Sequence, residues 1–197
     1  IVFGDWSSDV CSSDLDSESS NNLTLVVEDL LNVTKIEQGG MKYEMARFDL
    51  EQLIEETTKD LSITAEKKGL KLIYKISEDK KYYILGDKEK IRQVIVNLLD
   101  NSMKYTPQGQ IEVNLKLNNN KILLSINDTG VGIPEEIIGT LFDKFARGEG
   151  AKLNTSGSGL GLYLVKEIIE AHKGRVWVES EGRNKGSTFF VEMTQVE

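Results

Sequence analysis

Residues 87–127 read DKEKIRQVIVNLLDNSMKYTPQGQIEVNLKLNNNKILLSIN, and within this one stretch the hydrophobic period changes from helix to strand. Asp87 offers a side-chain oxygen ahead of the first turn. Ile91, Val94, Ile95, Leu98 and Ser102 then recur at three- and four-residue steps, which puts them on one helix face. Pro107 marks the point beyond which that helix does not continue. From Ile111 to Leu117, and again from Lys121 to Asn127, apolar and polar residues alternate, the period of a strand with one covered face. Asn118-Asn119-Asn120 lies between them and predicts a hairpin with a three-residue turn. Helix and hairpin each carry one apolar face, so the stretch predicts a layer of helix on a layer of sheet.

The same alternation of periods continues outward. Upstream, Asp49 caps a helix whose buried face is Leu53, Ile54, Thr57, Leu61 and Ala65, and Gly69 closes it. Short strands are predicted over Lys42–Phe48, Leu70–Ile76 and Tyr82–Leu85. Further up, Leu23, Val26, Val27, Leu30, Val33 and Ile36 mark an amphipathic helix that Gly39-Gly40 ends. Downstream come a glycine loop, a short helix after Pro134, a polar segment Arg147–Ser158, and a helix Leu160–His172 ended by Gly174. Strands Val176–Glu179 and Thr188–Met193, joined by a turn from Gly182 to Gly186, complete the pattern. The expectation is an α+β fold, a two-layer α/β sandwich. Its sheet is mixed and mostly antiparallel, covered by helices on one face, and one isolated helix precedes it. Residues 1–20 read as a leader, 21–40 as the isolated helix and 41–197 as the domain.

Composition bounds the rest. With 197 residues, 39% hydrophobic and 28% charged, the chain can build an ordinary core. Residues 1–20 hold five acids, seven serines and no Lys or Arg, so only −3 of the net charge of −8 belongs to residues 21–197. That leader is read as disordered or non-native, with a short regulatory tail as the alternative. A nearly neutral body carries no footprint for nucleic acid, so none is expected as a partner. Cys11, the single cysteine, excludes an internal disulfide. No apolar run approaches the ~20 residues that span a bilayer, and no membrane contact is expected of these residues.

Four segments carry candidate chemistry. In Asn97-Leu-Leu-Asp-Asn101-Ser-Met-Lys104-Tyr105 the two asparagines share a helix face, with a lysine and a tyrosine at its end. Amide oxygens suit Mg²⁺ and an ammonium suits phosphate, though a polar helix face with a charged end reads the same way. Asp128-Thr-Gly130-Val-Gly132-Ile133-Pro134 sets a carboxylate at a strand end before two glycines that let backbone approach a flat ligand. An Asx-capped turn is the plainer account of that segment. Phe142-Asp-Lys144-Phe145-Ala-Arg147 offers a guanidinium after two aromatics that could equally be core. Gly157-Ser158-Gly159-Leu160-Gly161-Leu162 opens a helix with free N–H groups that attract anions. It is neither a dinucleotide fingerprint, since no strand precedes it, nor a P-loop, since Gly-Lys-[Ser/Thr] is missing.

Taken in order, the four resemble the asparagine box, first glycine box, phenylalanine box and second glycine box of one ATP-binding superfamily. It is shared by histidine kinases, gyrase, mismatch-repair ATPases and the ninety-kilodalton heat-shock chaperones. Gly186-Ser187-Thr188-Phe189 is similar to that family's closing glycine turn. The resemblance implies ATP and Mg²⁺ as cofactors, with Asp128 on adenine, Tyr105 against it and Asn101 on the metal with Asn97 nearby. It implies Lys104 and Arg147 at the phosphates, with Gly157, Gly159 and Gly161 as the hinge of an ATP lid. Gly130, Gly132, Ile133, Leu160 and Thr188 would complete the pocket.

Within the superfamily, hydrolases resemble one another in placing a Glu where this chain has Asn97. An amide cannot act as general base at neutral pH, so transfer to an acceptor other than water is expected. Leu23–Gly40 resembles the second helix of the histidine kinase dimerisation hairpin, which implies a homodimer in the parent, a response regulator receiver domain as partner and a cytosolic site of action. A superfamily ATPase, or a nucleotide-binding pseudokinase module, are the alternatives. The single histidine, His172, is followed by Lys173 rather than an acid and lies at a helix end, so it is read as structural. Without the acceptor helix, this chain is expected not to phosphorylate itself.

Overall fold

The computed structural model describes residues 27–76, 81–146 and 158–196. Helix α1 occupies 27–37. There follow β1 (Ala46–Asp49), α2 (Leu50–Lys67), β2 (Leu70–Ile76), β3 (Tyr83–Gly86), α3 (Lys88–Tyr105), β4 (Gly109–Asn118) and β5 (Lys121–Asp128). Then come α4 (Glu135–Ile138), α5 (Gly161–Ala171), β6 (Arg175–Glu179) and β7 (Ser187–Thr194). Both predicted acidic caps form: Asp49 accepts from the N–H of Glu51, and Asp87 from those of Glu89 and Lys90. Such caps contribute about 1 kcal/mol each and set where the helix begins.

Five strands form a mixed sheet in the order β2-β4-β5-β7-β6, in which β2 and β4 run parallel and every other pair antiparallel. β1 and β3 pair apart from it as a two-stranded antiparallel ribbon. One face of the large sheet is covered. Ile111, Val113 and Leu115, Ile122, Leu124 and Ile126, and Phe189, Val191 and Met193 point inward and are buried. They meet Leu53 and Ile54 of α2, Ile91, Ile95, Leu98 and Leu99 of α3, and Val165 and Ile168 of α5. Each such side chain contributes about 1.5–3 kcal/mol of transfer free energy, so the apolar face rather than helix propensity holds α3 to the sheet. On the opposite face, Trp177 stacks on Phe190 with ring centroids 5.0 Å apart.

Three local expectations change. The strand predicted from Lys42 is confined to Ala46–Asp49. The β4–β5 turn has two residues rather than three: Asn118 pairs with Lys121, and Asn119 and Asn120 lie at φ 44° and 63°. Two left-handed residues follow the twist of the strands, and asparagine is among the few side chains that tolerate that region. At the end of α5 the left-handed residue is Lys173 (φ 58°), not Gly174. Gly174 is needed for space instead, because a Cβ there would lie 2.7 Å from the carbonyl oxygen of Glu192.

Helix α1 leans on the domain. Val33, Leu160 and Leu164 form a small apolar cluster of their own, flanked by Ile36 and Tyr163. Lys144 pairs with Glu37, and the Ser158 hydroxyl donates to Asp29 Oδ2 at 3.1 Å. The predicted apolar stripe is thereby divided: Val33 turns to the body, whereas Val27, Leu30 and Leu31 are about half exposed. Leu23 and Val26 lie outside the described residues.

Candidate nucleotide site

Asn97, Asn101 and Tyr105 follow one another at four-residue steps along α3 and share a face. Both ends of that face are tied to glycine segments. Asn97 Nδ2 donates to the carbonyl of Gly161, the first residue of α5, at 3.4 Å, which leaves its amide oxygen for another partner. The Tyr105 carbonyl accepts the N–H of Val131 at 3.0 Å. The Lys104 ammonium stands 5.4 Å from the Tyr105 ring centroid. Helix α3 thus brings the asparagine segment against both glycine segments, which are some thirty residues apart in the chain.

β5 delivers Asp128 to the far side of this face, buried. Its Oδ1 accepts the N–H of Gly130 at 2.9 Å, and its Oδ2 accepts the Ser187 hydroxyl at 2.5 Å. Loss of water around the carboxyl raises its pKa above the ordinary 3.8, while the bonds from Ser187 and Gly130 pull the other way. The loop after Asp128 has no room for a side chain at its glycines. A Cβ at Gly130 would collide with the Tyr105 carbonyl oxygen and come within 2.8 Å of Thr106 Oγ1 and 2.9 Å of Asp128 Oδ1. The turn between β6 and β7 braces the loop from behind. Gly186 N–H donates to the Gly130 carbonyl at 3.1 Å, Asn184 N–H to that of Val131 at 2.6 Å, and Ile133 N–H to Ser180 Oγ at 3.0 Å.

Thr188 does not join the site. It faces the uncovered side of the sheet, where its Oγ1 accepts from Asn127 Nδ2 at 2.7 Å. Ser187 is the hydroxyl that reaches Asp128. The signal was present as parity: Ser187 shares the inward register of Phe189, Val191 and Met193, and Thr188 that of Phe190 and Glu192. Ile133 is half-buried against the main core. Leu160 is buried beneath α1, and its N–H donates to Ser158 Oγ at 3.2 Å. Gly159 (φ 72°) runs beside the backbone of Phe145. Arg147 and Gly157 lie outside the described residues, as does most of the segment expected to form the lid.

The donors present suit a nucleotide. Thr106 Oγ1 is buried without a hydrogen-bond partner, a short step from the Asp128 carboxyl, and an orphan hydroxyl of this kind has a polar partner to gain. Among the described residues no three His, Cys, Asp or Glu side chains group around a metal position. A cation here would depend on amide oxygens such as that of Asn101, with phosphate and water supplying the rest of its shell. Mg²⁺, which keeps several waters and takes few protein ligands, fits that set.

His172 is fully committed elsewhere. It is buried, with Nε2 accepting the Asp87 N–H at 2.9 Å and Nδ1 2.7 Å from the Ile168 carbonyl oxygen. The first bond needs a lone pair on Nε2, so the proton sits on Nδ1 and points at Ile168. Tyr43 packs edge-on against the ring.

The family profile described as "Histidine kinase-, DNA gyrase B-, and HSP90-like ATPase" matches residues 86–196. The chain is 33% identical over 178 residues to hybrid signal transduction histidine kinase L of Dictyostelium discoideum, covering 87% of this chain and 10% of that protein. It is 32% identical to signal transduction histidine-protein kinase BarA of Escherichia coli, again over 87% of this chain and 19% of the relative. The chain therefore spans under one-fifth of the length of either. Among solved structures, full-length ShkA in complex with AMPPNP superposes with a TM-score of 0.79 at 26% identity, over 91% of this chain and 37% of that one.

Proposed function

The chain belongs to the histidine kinase-, DNA gyrase B- and HSP90-like ATPase family, and from that premise we propose that it is the ATP-binding catalytic part of a two-component sensor histidine kinase. The observation that carries the choice is Asn97. The relatives are histidine kinases, and the position where hydrolases of the superfamily resemble one another in a Glu here holds an amide, whose nitrogen is turned to Gly161. With no carboxylate there to deprotonate water, the pocket favours transfer over hydrolysis.

In this reading the carboxylate of Asp128 accepts from the exocyclic amine of adenine and Tyr105 lies along the base. Asn101 offers its amide oxygen to Mg²⁺, which neutralises charge on the phosphates when bound. Lys104 and Arg147 face the phosphates. Transfer breaks the bond from the γ-phosphorus to its bridging oxygen and forms one to the unprotonated nitrogen of an imidazole, whose other ring nitrogen then gives up its proton; ADP leaves. Little covalent help is needed from the protein, whose part is to orient and to exclude water. AMPPNP bound to ShkA is an ATP analogue in a similar fold. A receiver domain as the next acceptor, and a cytosolic site of action, follow from the same reading.

In this reading His172 is not the acceptor, which is supported by the engagement of both its ring nitrogens in the core, and the acceptor histidine belongs to the hairpin helix. With γ-labelled ATP the chain is expected to remain unlabelled, yet to label a supplied hairpin of the cognate kinase with an acid-labile, base-stable bond. Asn101→Ala should lower that labelling at least about tenfold, the smallest loss typical of weakened metal ligation. Rapid phosphate release with no acceptor present would mean a hydrolase, and would refute the reading of Asn97.

The half-exposed Val27, Leu30 and Leu31 on α1 are the surface by which the parent would dimerise. Deleting residues 1–38 is expected to leave a monomer that still binds ATP. If the shortened protein self-associates as strongly as the whole chain in analytical ultracentrifugation, α1 is not the dimer surface.

A further inference from the structure

We propose that Ser180 is a positioning residue for the adenine pocket: through it, the turn between β6 and β7 sets where the Asp128 carboxylate stands, and so how sharply the pocket separates adenine from hypoxanthine. The proposal rests on the nucleotide reading given above. The Ser180 hydroxyl accepts from the N–H groups of Ile133 at 3.0 Å and Gly182 at 3.3 Å, and donates to the Gly186 carbonyl at 2.7 Å. One donor and two lone pairs are all a serine has, so the group is saturated.

Its partners are not scattered. Ile133 is the far end of the loop that Asp128 begins. Gly186 directly precedes Ser187, whose hydroxyl reaches Asp128 Oδ2, and the Gly186 N–H holds the Gly130 carbonyl. One half-buried side chain therefore pins both the exit of the loop and the peptide that aims Ser187. Ser180 itself lies behind the loop and acts only through Asp128. An alanine would leave the Ile133 N–H and the Gly186 carbonyl without this partner, and the loop would be free to drift by the tenths of an ångström that decide a hydrogen bond.

Calorimetry with ATP and with inosine triphosphate tests this, because adenine offers an amine at C6 where hypoxanthine offers a carbonyl. A carboxylate accepts from the first and repels the second. The wild type is expected to prefer ATP. Ser180→Ala should reduce that preference about tenfold, the factor one ordinary hydrogen bond commands. Ser180→Thr, which keeps the hydroxyl, should preserve it. Melting temperatures are taken alongside. If Ser180→Ala weakens both nucleotides equally, or if Ser180→Thr loses the preference as well, Ser180 only supports the fold and the proposal is overturned. Should Ser180→Ala not fold, Ser180→Cys reads the same ratio with a similar volume and a much weaker donor and acceptor. A wild type that binds both nucleotides equally overturns the proposal differently, by removing the role of Asp128 itself.

Discussion

Gly132→Ala is expected to destabilise the domain by several kilocalories per mole and to abolish ATP binding at millimolar nucleotide. Two costs combine. Gly132 lies at φ 69°, a left-handed conformation that costs an L-residue roughly 1–2 kcal/mol. The larger cost is steric: a Cβ there would fall on the carbonyl oxygen of Gly182 and lie 3.1 Å from its carbon and 3.2 Å from the nitrogen of Lys185. All three are backbone atoms, so no side chain can swing aside. Overpacking of this kind typically costs about 1–3 kcal/mol even where neighbours yield. Here relief requires the loop and the brace to part, which breaks the bonds from Asn184 to Val131 and from Ile133 to Ser180. Gly182→Ala is the control. Its φ is 107°, but a Cβ there meets nothing within 4 Å, so only the conformational cost applies. Thermal melts with calorimetry on the two variants measure the difference; equal effects would show that the close approach at Gly132 is tolerated.

Asp128→Asn should weaken ATP binding about 10- to 100-fold while the apo protein melts close to the wild type. The magnitude is that of a hydrogen bond to a charged group in a buried setting, about 1.5–3 kcal/mol. The fold should survive because an amide oxygen can still accept from Gly130, and the Ser187 hydroxyl can rotate to accept from the amide nitrogen. Acidity should act in the same direction as the mutation. Burial raises the Asp128 pKa above 3.8, so on acidification this carboxyl is protonated before an ordinary aspartate would be. ATP affinity should therefore begin to fall above the usual carboxylate range, and the fall should be missing from Asp128→Asn. The stability linkage has the opposite sign to that of a salt-bridged acid. The folded state holds this proton more tightly than the unfolded one, so Asp128 disfavours folding once pH exceeds its raised pKa and ceases to do so as pH falls below 3.8. A pH-independent affinity difference between wild type and Asp128→Asn would rule out an ionised Asp128 as the adenine acceptor.

How far these features could be read in advance depended on how local their causes are. Helices α2 and α3 were legible because each is specified within its own span by an acidic cap and an apolar face, Asp49 with Leu53 and Ile54, Asp87 with Ile91 and Leu98. The hairpin was legible for the same reason, although the turn length was not, since Asn118 could serve as turn or as last strand residue and only its pairing with Lys121 decides. Strand order is a long-range property. Nothing within Leu70–Ile76 announces that it lies parallel to β4, or that β1 and β3 leave the main sheet as a separate ribbon. At the site, the asparagine and glycine segments singled out by their order are ones that the fold brings together, while Ser187 and Ser180 were hidden. Their roles arise from hydrogen bonds across 59 and 47 residues, and a hydroxyl in a polar turn has no sequence signal of its own. Thr188 drew attention in place of Ser187 because adjacent hydroxyls differ only in strand parity.

The seating of α1 has a geometric consequence. Val33 fits between Leu160 and Leu164, and Asp29 one turn before it meets Ser158. Turning the helix by one residue, about 100°, would present Asn32 or Thr34 to that apolar notch, and neither could fill it without stranding a polar group. The domain thus accepts its leading helix at a single angular setting, as a lock accepts a key. Rotation of α1 about its axis would withdraw Val33 from the notch and part Asp29 from Ser158 in the same movement.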